Sequence, residues 1–195
     1  MSEQPKLVSV NETEQKQVLV QVLLLNLGLA AALLAGGLLA DSSGLLANAL
    51  DNGSDALTYA ISWAAVTRSM LWKVRTARIT AFMLLILALG VTLDAFRRYT
   101  NGSDPIGISM VVLALVATAI NAMSLKLLQA FSKQDVNLRA AWTMSINDFA
   151  SNIGILVAGG LVVLTKSNVP DLAVGLLIAA IAVYGSIKTF RDSNT

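Results

Sequence analysis

Predominantly apolar stretches of about 20 residues recur six times along this chain, and no other feature constrains its fold as strongly. Read by hydropathy, they lie at about 17–39, 44–66, 79–97, 106–129, 141–165 and 170–190. A helix crossing the hydrocarbon core of a bilayer needs about 20 mostly apolar residues, and only helices or closed barrels satisfy their own backbone groups in lipid. The sequence therefore predicts an all-α membrane protein with six transmembrane helices. The chain has 195 residues, of which 55% are hydrophobic and only 13% charged, so the spans leave room for short connections and no second domain. Residues 1–16 read as a polar N-terminal tail without the basic start, apolar middle and small-residue cleavage site of a signal peptide. Residues 17–190 form the six-helix transmembrane domain, and 191–195 a short C-terminal tail.

Charge in the connections sets the predicted orientation. The tail, the second and fourth loops and the C-terminus carry Lys6, Lys16, Arg68, Lys73, Arg75, Arg78, Lys126, Lys133, Arg139, Lys188 and Arg191, whereas only Arg97, Arg98 and Lys166 fall on the other side. By the positive-inside rule both termini are cytoplasmic. Turn residues agree, with Asp41-Ser42-Ser43-Gly44, Asn101-Gly102-Ser103-Asp104-Pro105 and Ser167-Asn168-Val169-Pro170 as short outer loops. The basic residues form topology signals rather than a face or arm, which excludes a nucleic-acid partner.

The second predicted helix carries Asn48, Asp51, Asp55, Thr58 and Ser62 at spacings of three and four, which draws one polar stripe along one face. Asp51 and Asp55 stand one turn apart and can aim at one point. A carboxylate in hydrocarbon costs at least ~2.5 kcal/mol, so two of them need compensation. The fifth helix has a matching stripe of Met144, Asn147, Asp148, Ser151 and Asn152. Inside the predicted spans Lys and Arg occur only near the ends, at Arg97, Lys126 and Lys188, so none lies at the depth of Asp51, Asp55 or Asp148 to pair with them. The missing counter-charge is most simply a cation that comes and goes, and oxygen donors converging from two helices make a workable shell for a divalent ion. The competing reading has the acids protonated and bonded to neighbouring helices; three acids on two polar faces without a buried base favour the cation. Asn26 and Asn121 read as interhelical hydrogen-bonding residues, and Asp41, Asp94, Asp104 and Asp171 as solvated residues near helix ends. Asn26 with Asp55, and Asn121 with Asp148, also sit at similar offsets in the two halves, a faint three-helix repeat that would have inverted topology.

Zero cysteines and zero histidines remove disulfides, thiolate and imidazole ligands, and the usual neutral-pH proton carrier. No phosphate-binding loop, dinucleotide glycine pattern or nucleophile elbow occurs. Two facing membrane aspartates also serve intramembrane aspartyl proteases, whose Tyr-Asp and Gly-x-Gly-Asp motifs are missing: Leu50, Ser54 and Asn147 precede the acids here. The chain does not read as an enzyme, and nothing calls for a prosthetic group.

The stretch Ser43-Gly-Leu-Leu-Ala-Asn-Ala-Leu-Asp51-Asn-Gly-Ser-Asp55-Ala-Leu, with Asn137-Leu-Arg-Ala-Ala-Trp-Thr-Met144-Ser-Ile-Asn-Asp148-Phe-Ala-Ser-Asn-Ile-Gly, resembles the cation diffusion facilitator (cation efflux) family across all six helices. The resemblance implies export of a divalent metal, typically zinc, cadmium, iron, manganese, cobalt or nickel, against protons, by a homodimer in a bacterial inner (plasma) membrane. It assigns the metal site to an Asp51-x3-Asp55 pair and a second pair ending at Asp148. Met144 takes the place where the family usually has histidine or aspartate; its thioether would favour softer ions such as cadmium, and carboxylates alone harder ones. The family's C-terminal ferredoxin-like cytoplasmic domain has no counterpart before Thr195, so a short form is expected. Two alternatives stay open: a non-transporting membrane metal sensor or scaffold, and a proton-coupled exporter of organic cations.

Overall fold

The computed structural model describes residues 12–65, 70–129 and 136–192. They form six helices: α1 (Glu12–Leu39), α2 (Ser43–Ala65), α3 (Met70–Asn101), α4 (Gly107–Gln129), α5 (Val136–Thr165) and α6 (Val169–Asp192). The hydropathy reading places every helix, and the main difference is α3. It begins nine residues before the predicted Ile79 because Lys73, Arg75 and Arg78 continue the helix beyond its apolar part; long basic side chains favour helix and mark only the depth of a span, not its end. Among the described residues four stretches, Lys16–Leu39, Gly107–Gln129, Ser145–Thr165 and Val169–Lys188, are long and apolar enough to cross a membrane. α2 is less apolar because its polar stripe occupies one face.

The helices pack in pairs: α1 against α2, α4 against α5, and α3 against α6, with α2 also touching α3, α5 and α6. The first two pairings repeat between the halves of the chain. Burial is inverted relative to a soluble protein. Asn26, Asn48, Asn52, Asn121 and Asp148 are at most 1% exposed, whereas Leu38, Leu93 and Ile108 are more than 60% exposed. Apolar side chains spread over the whole outer surface and polar ones collected inside suit a lipid solvent, where apolar exposure costs nothing and polar exposure is expensive.

Two junctions fix the end of the bundle opposite the basic loops. α1 stops at a left-handed residue, Asp41 (φ 52), and Ser42 N–H donates back to Gly37 O at 3.0 Å, a reverse turn usually built with glycine. Asp41 compensates by accepting from Arg98 and from Asp104 N–H (3.1 Å), while Arg98 also donates to Asp94 at 2.5 Å.

The second junction corrects the sequence reading. Asp171 is fully buried rather than solvated: its carboxylate accepts from Ser42 Oγ–H (2.6 Å), Ser43 N–H (2.8 Å) and Gly44 N–H (3.0 Å). The two backbone amides are donors that the first turn of a helix leaves unpaired, so a residue of α6 caps α2. The helices nearly touch beside this cap, where a Cβ on Gly175 would lie 2.8 Å from the Ser43 carbonyl carbon and 2.9 Å from its oxygen. Backbone cannot yield as a side-chain tip can. Gly175→Ala is therefore expected to destabilise the protein by about 1–3 kcal/mol, measured as a lower melting temperature in detergent; an unchanged melting temperature would show that α6 can move away freely.

Candidate functional site

The polar stripe of α2 does not point at one neighbour. Asn48, fully buried, donates through Nδ2 to Asn152 Oδ1 of α5 at 2.6 Å. Asn52 donates to Asn48 O (2.9 Å) and Oδ1 (3.2 Å). These amides pin α2 to α5 one turn from the acids. Asp51, Asp55 and Thr58 instead line a cavity of about 680 Å³, and Thr58 keeps its hydroxyl bonded to Ser54 O at 3.0 Å. The side chain of Ser62, last in the predicted stripe, lies outside the described residues.

Across the cavity, α5 contributes Asn147, Asp148 and Ser151. Asp51 is within hydrogen-bonding reach of both Ser151 and Asp148, and Asp55 lines the same cavity, so the three predicted acids border one space. Asp55 and Asp148 are 5% and 1% exposed. Tyr59 O–H donates to Asp55 Oδ2 at 3.4 Å. Met144 falls within α5, but its side chain lies outside the described residues, so its predicted part in the site stands as an expectation. The sequence did not point to the opposite wall, which α3 and α6 supply with Ala81, Leu84, Leu177, Ile178 and Ile181. Those residues carry only apolar periodicity, the ordinary signal of any membrane helix.

Among the described residues that line the cavity none is basic and none is aromatic. Three carboxylates thus share a low-dielectric space without a protein counter-charge, a costly arrangement unless protons or a cation neutralise it. The fit to a metal ion is partial: among the described residues no three acidic groups are already drawn into a ligating cluster. Asn147, Ser54 and Ser151 add neutral oxygens to the same lining, and a six- to eight-coordinate shell draws on such donors and on water.

Residues 72–194 match the family described as the cation efflux transmembrane domain, a stretch running through α3 to α6. The chain belongs to the cation efflux family. It is an integral, multi-pass membrane protein, and its family is one of transporters rather than enzymes. Two relatives extend the likeness to the N-terminal helices. The cadmium, cobalt and zinc/H(+)-K(+) antiporter of Bacillus subtilis is 20% identical over 197 residues, covering 94% of this chain and 63% of its own length. The zinc transporter ZitB of Pectobacterium atrosepticum is 22% identical over 171 residues, covering 81% and 53%. This cation efflux chain therefore spans less than two thirds of the length of either relative.

Proposed function

We propose that this protein carries a divalent transition-metal cation out of the cytoplasm in exchange for protons, through a site formed by Asp51, Asp55 and Asp148 with Met144 as a fourth ligand. The convergence of three acids from two helices in a cavity whose described lining holds no base is the observation that carries this reading. Family membership supports the cation as cargo, and the two relatives, both named for zinc and one also for cadmium and cobalt, favour zinc or cadmium over iron, manganese or nickel. All six helices span the bacterial plasma membrane with both termini in the cytoplasm, and the working unit is a homodimer. The absence of aromatic side chains from the described lining disfavours an organic cation, which such sites hold by stacking or cation–π contact.

Charge balance supplies the coupling. A divalent ion entering the cavity replaces the protons that neutralise its carboxylates, and protons return when the ion leaves; rocking of the helices alternates access to a fixed mid-membrane site. Proteoliposomes with an acidic lumen test this directly, using a metal-sensitive and a pH-sensitive dye together. Saturable zinc or cadmium uptake with simultaneous alkalinisation of the lumen is expected, and collapsing the pH gradient should slow it. Binding without flux would identify a sensor or scaffold instead, and flux without proton movement would remove the antiport.

A further inference from the structure

One group of buried polar side chains stands behind the cavity rather than in it. Asn26 on α1, Asn121 and Ser124 on α4, and Ser145 on α5 are all fully buried. Neither polar atom of Asn121 has a hydrogen-bond partner among the described residues, and neither has Asp148 Oδ2. The sequence led us to expect interhelical bonds from both asparagines. Asn26 instead donates to Val22 O of its own helix at 3.0 Å. A buried amide and a buried carboxylate oxygen each forfeit a hydrogen bond when left unpaired, and such pairs of orphans are rare in native proteins.

Helix register brings these two orphans to one level. α4 buries a single stripe, Gly107, Met110, Ala114, Ala117, Asn121, Ser124 and Leu128. Its start meets the end of α5: a Cβ on Gly159 would lie 2.9 Å from Met110 Cβ, and one on Gly107 would lie 2.7 Å from Gly159 O and 2.8 Å from Val163 Cγ2. The helices therefore run antiparallel. Eleven residues make three turns and return to the same face, so an equal step of eleven from the Met110–Gly159 contact leads to Asn121 on α4 and Asp148 on α5. The same step of fourteen from the Gly107–Gly159 contact pairs Asn121 with Ser145. Asn121 thus has the α5 turn of Asp148 opposite it, while Asp148 meets Asp51 of α2 from its other side.

We propose that Asn121 is a positioning residue for Asp148: unpaired in the metal-free fold, its amide donates to Asp148 Oδ2 when an ion draws the other carboxylate oxygen toward the cavity. This rests on the reading of Asp51, Asp55 and Asp148 as the metal site. Groups that bond the far side of a ligating carboxylate fix its orientation, and their loss lowers metal affinity by about 10–100-fold. The role differs from packing in a measurable way, because the amide is unpaired in the metal-free fold and its removal should not weaken that fold.

The test is calorimetric titration of zinc and cadmium into the detergent-solubilised full chain, paired with the melting temperature of the metal-free protein. Asn121→Leu is expected to bind at least about tenfold more weakly, with a melting temperature equal to or above wild type. Asn121→Ala, which removes the amide without adding bulk, should show the same loss of affinity and decides the matter if the leucine variant fails to fold. Asn121→Ser, which keeps a donor, should recover part of it, and Asn26→Leu should bind like wild type. Wild-type affinity in Asn121→Leu or Asn121→Ala overturns the proposal. So does an equal loss in Asn26→Leu, since that would trace the effect to α1–α4 packing. Failure of the wild-type protein itself to bind either metal would instead overturn the site on which the proposal rests.

Discussion

Asp55→Asn is expected to abolish saturable metal uptake in proteoliposomes while leaving the protein folded. The exchange keeps the size and shape of the side chain and an oxygen for Tyr59 to donate to, so packing between α2 and α5 survives. What it removes is one negative charge. A pair of unit charges about 4 Å apart is worth about 4 kcal/mol at the effective dielectric of a partly hydrated site, and a divalent cation feels at least that much. The affinity should fall roughly a thousandfold, moving half-saturation from the micromolar to the millimolar range if wild type sits near the former. Asp148→Asn should behave alike, because that residue faces the same space and is equally cut off from water. The measurement is initial uptake rate against metal concentration, with monodispersity in detergent as the check on folding. Uptake by either variant at the wild-type rate and half-saturation would mean that the ion takes another path.

Asp171→Ala is expected to produce the largest loss of stability of any single change considered. It leaves the Ser42 hydroxyl and the Ser43 and Gly44 amides without the acceptor that all three now share. Hydrogen bonds to a charged group contribute about 1.5–3 kcal/mol each, and stranding a buried donor costs about as much. Relaxation and water entry would recover part of this, so a net loss of about 3–5 kcal/mol is expected. For a chain of this size that lowers the melting temperature by about 6 °C or more. Asp171→Asn keeps one acceptor oxygen and should lose less. Transport should fall with the cap as well, because α2 carries Asp51 only about two turns below its first residue, and a frayed start moves that carboxylate. Added metal should restore part of the lost melting temperature in Asp171→Ala by binding the folded state, but none in Asp55→Asn at micromolar metal. If Asp171→Ala melts within a degree of wild type, the carboxylate is not what holds the two helices together.

Local pattern was enough to place the helices and to name Asp51, Asp55 and Asp148, since three- and four-residue spacing alone puts polar side chains on one face of a helix. The same logic explains the misreading of Asp171. Its position in the first turn of α6, beside a turn and a proline, is where solvated acids are common, and nothing local distinguishes it from Asp104. Its partners lie 127 to 129 residues earlier in the chain. Asn48 was read as part of the acidic stripe, yet it donates to Asn152 and binds α2 to α5, because a stripe of five residues spans more arc than one cavity subtends.

By itself, then, the sequence determined that this chain fills six helices, that a lipid solvent suits it, and that three acids lie on two polar helix faces with no base at their depth. Those properties follow from composition and periodicity, which each helix expresses on its own. Only the tertiary structure decided which wall closes the cavity, which buried asparagine stands level with Asp148, and that an acid of α6 caps α2. Each of these depends on the register between helices far apart in the chain, which is settled when close contacts such as Gly107–Gly159 and Gly175–Ser43 lock one packing in place.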